Sequence, residues 1–148
     1  MLFRSLVGER IAAVSDKPQT TRTRILGVFH DAEMQVIVLD TPGLHKASHL
    51  LGQRMVRTAH ETMREADLLF VMVEATAPPG TGDLLVIERV RDHLTQYPRP
   101  VFLLINKVDL VNKSRILPLI DDYRRLMNWS EIIPLSAKTR DNLRSEEH

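Results

Sequence analysis

Two unbroken apolar runs, Leu68–Val73 and Val101–Ile105, constrain this chain most. Both are far too short to span a bilayer. Their continuous hydrophobicity fits strands buried on both faces, as in a parallel sheet. Parallel strands need a crossover between them, usually a helix. The intervening sequence supplies one: after a loop at Pro78-Pro79-Gly80-Thr81-Gly82, Asp83 can cap a helix running through Leu94. A second helix fits from a cap at Ser114 to about Met127, with Pro118 early enough to sit near the first turn. Glu131–Leu135 reads as a last short strand. Upstream, Ile25–His30 and Gln35–Asp40 flank the polar Asp31-Ala32-Glu33 and read as an antiparallel hairpin. From Leu50 to Arg64, Leu51, Met55, Ala59 and Met63 recur at helical spacing. The order β-β-α-β-α-β-α-β predicts an α/β fold, a mostly parallel sheet with helices on both faces.

The 148 residues suit one domain with one core. The net charge of +1 gives no bulk signal for a nucleic-acid partner. With no cysteine, the chain has neither disulfides nor thiolate metal sites, which fits a reducing cytosol. His30, His49, His60 and His93 do not cluster in sequence, and Tyr123 and Trp129 read as packing residues.

Open sheets of this kind bind ligands beyond the carboxyl ends of their strands. Polar motifs stand at those ends. Asn106-Lys107-Val108-Asp109 follows the run Val101–Ile105. A guanine offers N1–H and N2–H₂ donors along one edge, and the Asp109 carboxylate matches them. Adenine lacks that donor pair, so the carboxylate would lose water without gaining a partner. Asn106 can tie this loop to its neighbours, and the Lys107 stem can cover a base face. Ser136-Ala137-Lys138 follows the last strand, where the Ala137 N–H can donate to guanine O6. Alone, each motif is also an ordinary polar loop or, at Ser136, a helix cap. In this order they predict a guanine-binding pocket.

Asp40-Thr41-Pro42-Gly43 ends the second hairpin strand. A carboxylate there can hold magnesium, through water, because that ion keeps much of its hydration. The Gly43 N–H can reach a γ-phosphate, since no Cβ blocks the approach. Gln19-Thr20-Thr21-Arg22 precedes the first strand, where Thr21 or Thr20 can close over magnesium and phosphate; a solvated loop explains these residues as well. Thr21 is the preferred ligand. His45 can orient an attacking water, which Leu44 cannot, although a lone loop histidine is often only exposed. No Gly-x-x-x-x-Gly-Lys-Ser/Thr phosphate loop occurs in the chain.

The stretch from Ala12 to Ile25, which includes Pro18-Gln19-Thr20-Thr21-Arg22, and Asp40-Thr41-Pro42-Gly43-Leu44-His45 resemble the bacterial Era GTPases, as do the downstream Asn-Lys-Val-Asp and Ser-Ala-Lys. The resemblance runs from about Leu6 to Leu143. It implies a three-layer, Ras-like P-loop NTPase fold that binds GTP or GDP with Mg²⁺. Asp40, Thr41, Pro42, Gly43 and Leu44 would then belong to the phosphate and magnesium side, with Thr21 and Asp40 as metal ligands. Asn106, Lys107, Val108, Asp109, Ser136, Ala137 and Lys138 would hold the base. Such families carry a hydrophobic residue where Ras-like proteins place a glutamine, and Leu44 fits. The resemblance further implies a GTP-hydrolysing switch in small-subunit ribosome assembly, cytoplasmic or peripheral at the inner face of the membrane. Its partner is small-subunit ribosomal RNA, bound through a KH domain, and not DNA.

Era GTPases begin with a strand, a phosphate loop and a helix, and Leu6-Val7-Gly8 resembles only the end of that helix. The missing strand would be central, between Gln35–Asp40 and Leu68–Val73. The expectation is therefore a partial G domain over residues 6–143, inactive by itself, lacking both the phosphate loop and the KH domain. Residues 1–5 and 144–148 read as non-native tails. Leu2-Phe3-Arg4-Ser5 can be encoded by CTCTTCCGATCT and Arg144-Ser145-Glu146-Glu147 by its reverse complement, as translated adapter DNA would be. The alternatives are a Der-like or MnmE-like GTPase, or a non-enzymatic module with a degenerate GTPase fold.

Overall fold

The apolar runs fold as neighbouring parallel strands. A computed structural model describes residues 25–30, 35–40 and 50–142, with side chains described at Leu39 and from Arg57 to Asn142. Two compact units divide the chain, Met1–Ala66 and Asp67–His148.

In the first unit, β1 (Ile25–His30) and β2 (Gln35–Asp40) pair antiparallel, with Ile25 opposite Asp40 and His30 opposite Gln35. This is the expected hairpin. Helix α1 (Leu50–Glu65) follows. Ala59 and Met63, two of the four residues that marked its apolar stripe, are buried. Leu51 and Met55 carry no described side chain. Thr62 is buried too, and its hydroxyl donates to the Thr58 carbonyl at 2.8 Å, one turn back.

In the second unit, β3 (Leu69–Glu74), β4 (Val101–Asn106) and β5 (Glu131–Pro134) form a parallel sheet in that order. Helices α2 (Thr81–Gln96) and α3 (Ile116–Leu126) are the crossovers. The central strand β4 carries the core: Val101, Leu103, Leu104 and Ile105 are all buried, joined by Ile87, Val90, Leu119 and Tyr123.

Strand β3 departs from the expected continuous burial. Leu69, Val71 and Val73 are buried, whereas Phe70 and Met72 are 42% and 41% exposed. Successive side chains of a strand point to opposite faces, and only one face of β3 is packed. Phe70 sits edge-on to Phe102 of β4, with ring centroids 5.7 Å apart.

Two helix starts also differ from expectation. Helix α2 begins at Thr81, so Gly82 lies within it, and Asp83 acts from the third helical position. Its Oδ2 accepts the Gly80 N–H at 2.9 Å, half of a capping box that glycine cannot reciprocate with a side chain. The helix runs two residues past Leu94 and stops before Pro98, where Tyr97 N–H closes on the His93 carbonyl at 2.9 Å. Ser114 does not cap α3. It lies in a 3₁₀ turn, Lys113–Arg115, whose cap is Asn112; the Asn112 side chain accepts the Ser114 N–H at 3.3 Å. Helix α3 itself starts from Arg115, which makes no side-chain cap bond. Pro118 falls in the first turn of α3, as expected.

At its other end α3 gives up carbonyls to side chains. Arg91 donates to the Leu126 carbonyl, and the Trp129 indole N–H donates to that of Tyr123 at 2.8 Å. Tyr123 itself is fully buried. Burial above all, then the Asp83 carboxylate and more weakly Asp122, pushes the phenol well above its ordinary pKa of 10.0.

Two outcomes follow. The raised phenol pKa contributes stability that is whole below the unfolded value of 10.0 and lost as pH rises beyond it. Urea unfolding at pH 8 and pH 11 should therefore show a larger loss in the unmodified chain than in Tyr123→Phe. A Cβ at Gly82 meets nothing within 4 Å. Gly82→Ala should thus stabilise by about 0.5 kcal/mol, the low end of the helical Gly-to-Ala range, read as a higher urea midpoint.

Candidate nucleotide-binding site

Strands β4 and β5 end side by side, and their following loops are bonded to each other. Ile105 stands opposite Pro134, and the Leu135 N–H continues the ladder to the Ile105 carbonyl at 2.9 Å. One residue further on, Asn106 leaves the ladder and uses its side chain. Its Oδ1 accepts two backbone N–H groups, Lys107 at 2.8 Å and Ala137 at 3.0 Å. Asn106 thus fixes the turn out of β4 and holds the β5 loop, as its position suggested.

The turn is demanding. Lys107 has φ 66° and ψ 33°, the left-handed region, which costs a residue with a Cβ roughly 1–2 kcal/mol. Its N–H is taken by Asn106, its carbonyl accepts the Leu110 N–H at 3.1 Å, and its ammonium pairs with the Glu74 carboxylate. The next residues form a 3₁₀ turn, Val108–Leu110, and the Val108 N–H reaches the Leu135 carbonyl at 3.3 Å.

That turn brings Asp109 to Ser136. The fully buried Ser136 hydroxyl donates to Asp109 Oδ1 at 2.6 Å and accepts the Thr139 N–H at 3.2 Å. Its one proton is thereby aimed at the carboxylate. Asp109 remains exposed, and a carboxylate that accepts one hydrogen bond keeps capacity for more. The loop is closed on itself: Ser136 N–H donates to the Asp141 carbonyl at 3.1 Å, Thr139 hydroxyl to Asp141 Oδ2 at 2.7 Å, and Asn142 Nδ2 to the Pro134 carbonyl at 2.8 Å. Arg140 and Asn142 take positive φ, 64° and 59°, to make that closure.

Chemically, this is one exposed acceptor in a rigid frame. Asn106, Lys107, Val108, Asp109, Ser136 and Ala137 come together as the sequence suggests. Two roles differ. The Ala137 N–H, expected to serve guanine O6, donates to Asn106 Oδ1, because that carbonyl is already fixed beside it. The Lys107 ammonium is drawn to β3 by Glu74. Lys138 is exposed. Asp40 ends β2, in the other unit, and its side chain is not described. Thr20, Thr21, Thr41, Pro42, Gly43, Leu44 and His45 lie outside the described residues. Sequence reasoning missed Glu74 and Asp141. Aligning the two apolar runs would have flagged Glu74, since it ends β3 in register with Asn106; the short Thr-x-Asp spacing is too common to flag Asp141.

Residues 1–107 match the family described as the 50S ribosome-binding GTPases. The chain belongs to that family. GTPase Era of Ruminiclostridium cellulolyticum is 44% identical over 142 residues, 96% of this chain and 46% of the relative. A solved structure of Era in complex with MgGDPNP and nucleotides 1506–1542 of 16S ribosomal RNA matches with a TM-score of 0.85 at 34% identity, over 96% of this chain and 48% of that one. Aquifex aeolicus Era in a variant bound to GDP.AlF4- matches with a TM-score of 0.85 at 35% identity, over 96% and 48%. The fold is accordingly that of the Ras-like P-loop GTPases, and the resemblance to Era GTPases read from the motifs holds. The chain spans about half the length of the curated relatives it matches.

Asn106 is the residue on which the two loops of this GTPase-family site depend. Asn106→Ala leaves two N–H groups without their acceptor, and should cost about 1–2 kcal/mol. Urea unfolding measures that loss. Faster hydrogen exchange at the Ala137 amide localises it.

Proposed function

We propose that the chain is part of the guanine-nucleotide domain of an Era-type GTPase, a switch that binds and hydrolyses GTP during small-subunit ribosome assembly. The observation that carries this reading is the Ser136–Asp109 hydrogen bond at 2.6 Å, which braces an exposed carboxylate at a strand end. In this reading the braced Asp109 accepts the N1–H and N2–H₂ groups of guanine. An exposed carboxylate in a fixed frame selects a donor pair because an adenine edge would leave it desolvated and unpaired. Asn106 holds the frame, and the Lys107 stem lies against the base.

Asp40 and Thr21 would hold a magnesium ion, which would balance the phosphate charge. The position of Asp40 at the carboxyl end of β2 is compatible with a water-mediated contact. Thr41, Pro42 and Gly43 would belong to the γ-phosphate side, and His45 would orient the attacking water. Hydrolysis is then a matter of positioning and of stabilising charge. The likeness to a structure of Era in complex with MgGDPNP and 16S ribosomal RNA supports guanine nucleotide, magnesium and small-subunit RNA as ligands of the whole protein. In this reading the whole protein would bind the RNA through a KH domain and work in the cytoplasm or peripherally at the inner face of the membrane. Among the described residues no helix is long and apolar enough to cross a membrane.

No Gly-x-x-x-x-Gly-Lys-Ser/Thr sequence occurs in the 148 residues. The backbone N–H groups and lysine of such a loop supply most of the phosphate affinity in this fold. The 148-residue polypeptide should therefore bind GTP more weakly than about 1 µM, the equivalent of ~8 kcal/mol, by isothermal titration. In a version carrying a phosphate loop, Asp109→Asn should turn preference from guanosine to xanthosine nucleotides by at least about tenfold. Unchanged preference would sink the base-binding reading.

A further inference from the structure

The ends of β3 and β4 meet at a charged pair that the base-binding reading does not require. Glu74, the last residue of β3, lies in register with Asn106, the last of β4. The Ala75 N–H donates to the Asn106 carbonyl at 2.8 Å, which locks the two strand ends together. From this anchored position the Glu74 carboxylate takes the Lys107 ammonium. Lys107 is the residue held in the left-handed conformation, with φ 66°. Its backbone is already bonded on both sides, to Asn106 Oδ1 and to the Leu110 N–H. Among the described residues, Glu74 supplies the restraint on the direction of its side chain.

We propose that Glu74 is a positioning residue for guanine recognition: by anchoring the Lys107 ammonium to the end of β3, it sets the lysine stem as a preformed wall of the base pocket. The proposal rests on the base-binding reading above. The logic is that of pre-organisation. A four-carbon stem free to rotate must be ordered when a ring packs on it, and that entropy is charged against affinity. A stem held at both ends is ordered before the base arrives. The pair is about half-exposed, with side-chain accessibilities of 44% for Lys107 and 57% for Glu74, so its effect is modest and screened by salt.

Hydrogen exchange on the 148-residue chain tests the restraint without nucleotide. Glu74→Gln should lower protection of the Lys107 and Leu110 amides about two- to five-fold, the range of an exposed ion pair. The same amides in the unmodified chain should lose protection on raising NaCl from 0.05 to ~0.5 M. In a Lys107→Met background, which keeps an unbranched stem and removes the charge, Glu74→Gln should change nothing further. In a version carrying a phosphate loop, Glu74→Gln should weaken GDP binding by the same two- to five-fold factor, and keep guanosine preferred over xanthosine. Protection indifferent to both the substitution and salt would overturn the proposal, as would an equal loss in the Lys107→Met background. A failed Asp109→Asn switch, with the exchange results intact, would instead sink the base-binding reading and leave the Glu74–Lys107 restraint standing.

Discussion

The carbonyl oxygen of one asparagine side chain holds this site together. Asn106 Oδ1 accepts the N–H of the next residue and the N–H of Ala137, 31 positions away. The first bond sets the turn that leaves β4; the second draws in the loop that leaves β5. Asp109 meets Ser136 only because both loops are already fixed. An aspartate carboxylate at position 106 could accept the same two bonds, but it would also put a second negative charge beside Asp109. Asparagine gives the acceptor without the charge, and keeps an Nδ2 donor besides. The residue type is thus dictated by electrostatics as well as by geometry.

The alternation of strands and crossovers was legible because it rests on hydrophobic periodicity, which is local. The hairpin Ile25–His30 and Gln35–Asp40 and the helix from Leu50 show this well. Helix starts were less legible. Asp83 and Ser114 are both good capping residues by type, yet Asp83 acts from inside α2, and α3 starts from Arg115 without a side-chain cap. A cap is decided by which oxygen reaches a free N–H first, and residue type only narrows the choice. The burial of β3 was illegible for a different reason. Phe70 and Met72 are as apolar as their neighbours, so nothing in the run says that only one face is packed.

The candidate site divides in the same way. The tie that Asn106 makes between the two loops is legible from its strand-end position. The Ala137 N–H, expected to serve a base, already donates to Asn106. A backbone donor carries no type information, so the sequence cannot tell which of two nearby acceptors claims it. Glu74 is illegible in the sequence because a single acidic residue after an apolar run is ordinary until registration puts it beside Asn106.

Registration also explains why a left-handed lysine is tolerable where glycine would be cheaper. Glycine at position 107 would remove the conformational cost of φ 66°. It would also remove the ammonium that reaches Glu74, and with it the side-chain link between the β4 loop and β3. The strands are tied by backbone up to Ala75 and Asn106; beyond that point only side chains can carry the connection. A residue that must both turn the chain and extend a long cationic arm has to accept backbone strain. Local strain at a strand end, offset by bonds from three directions, is what a pre-organised binding loop requires.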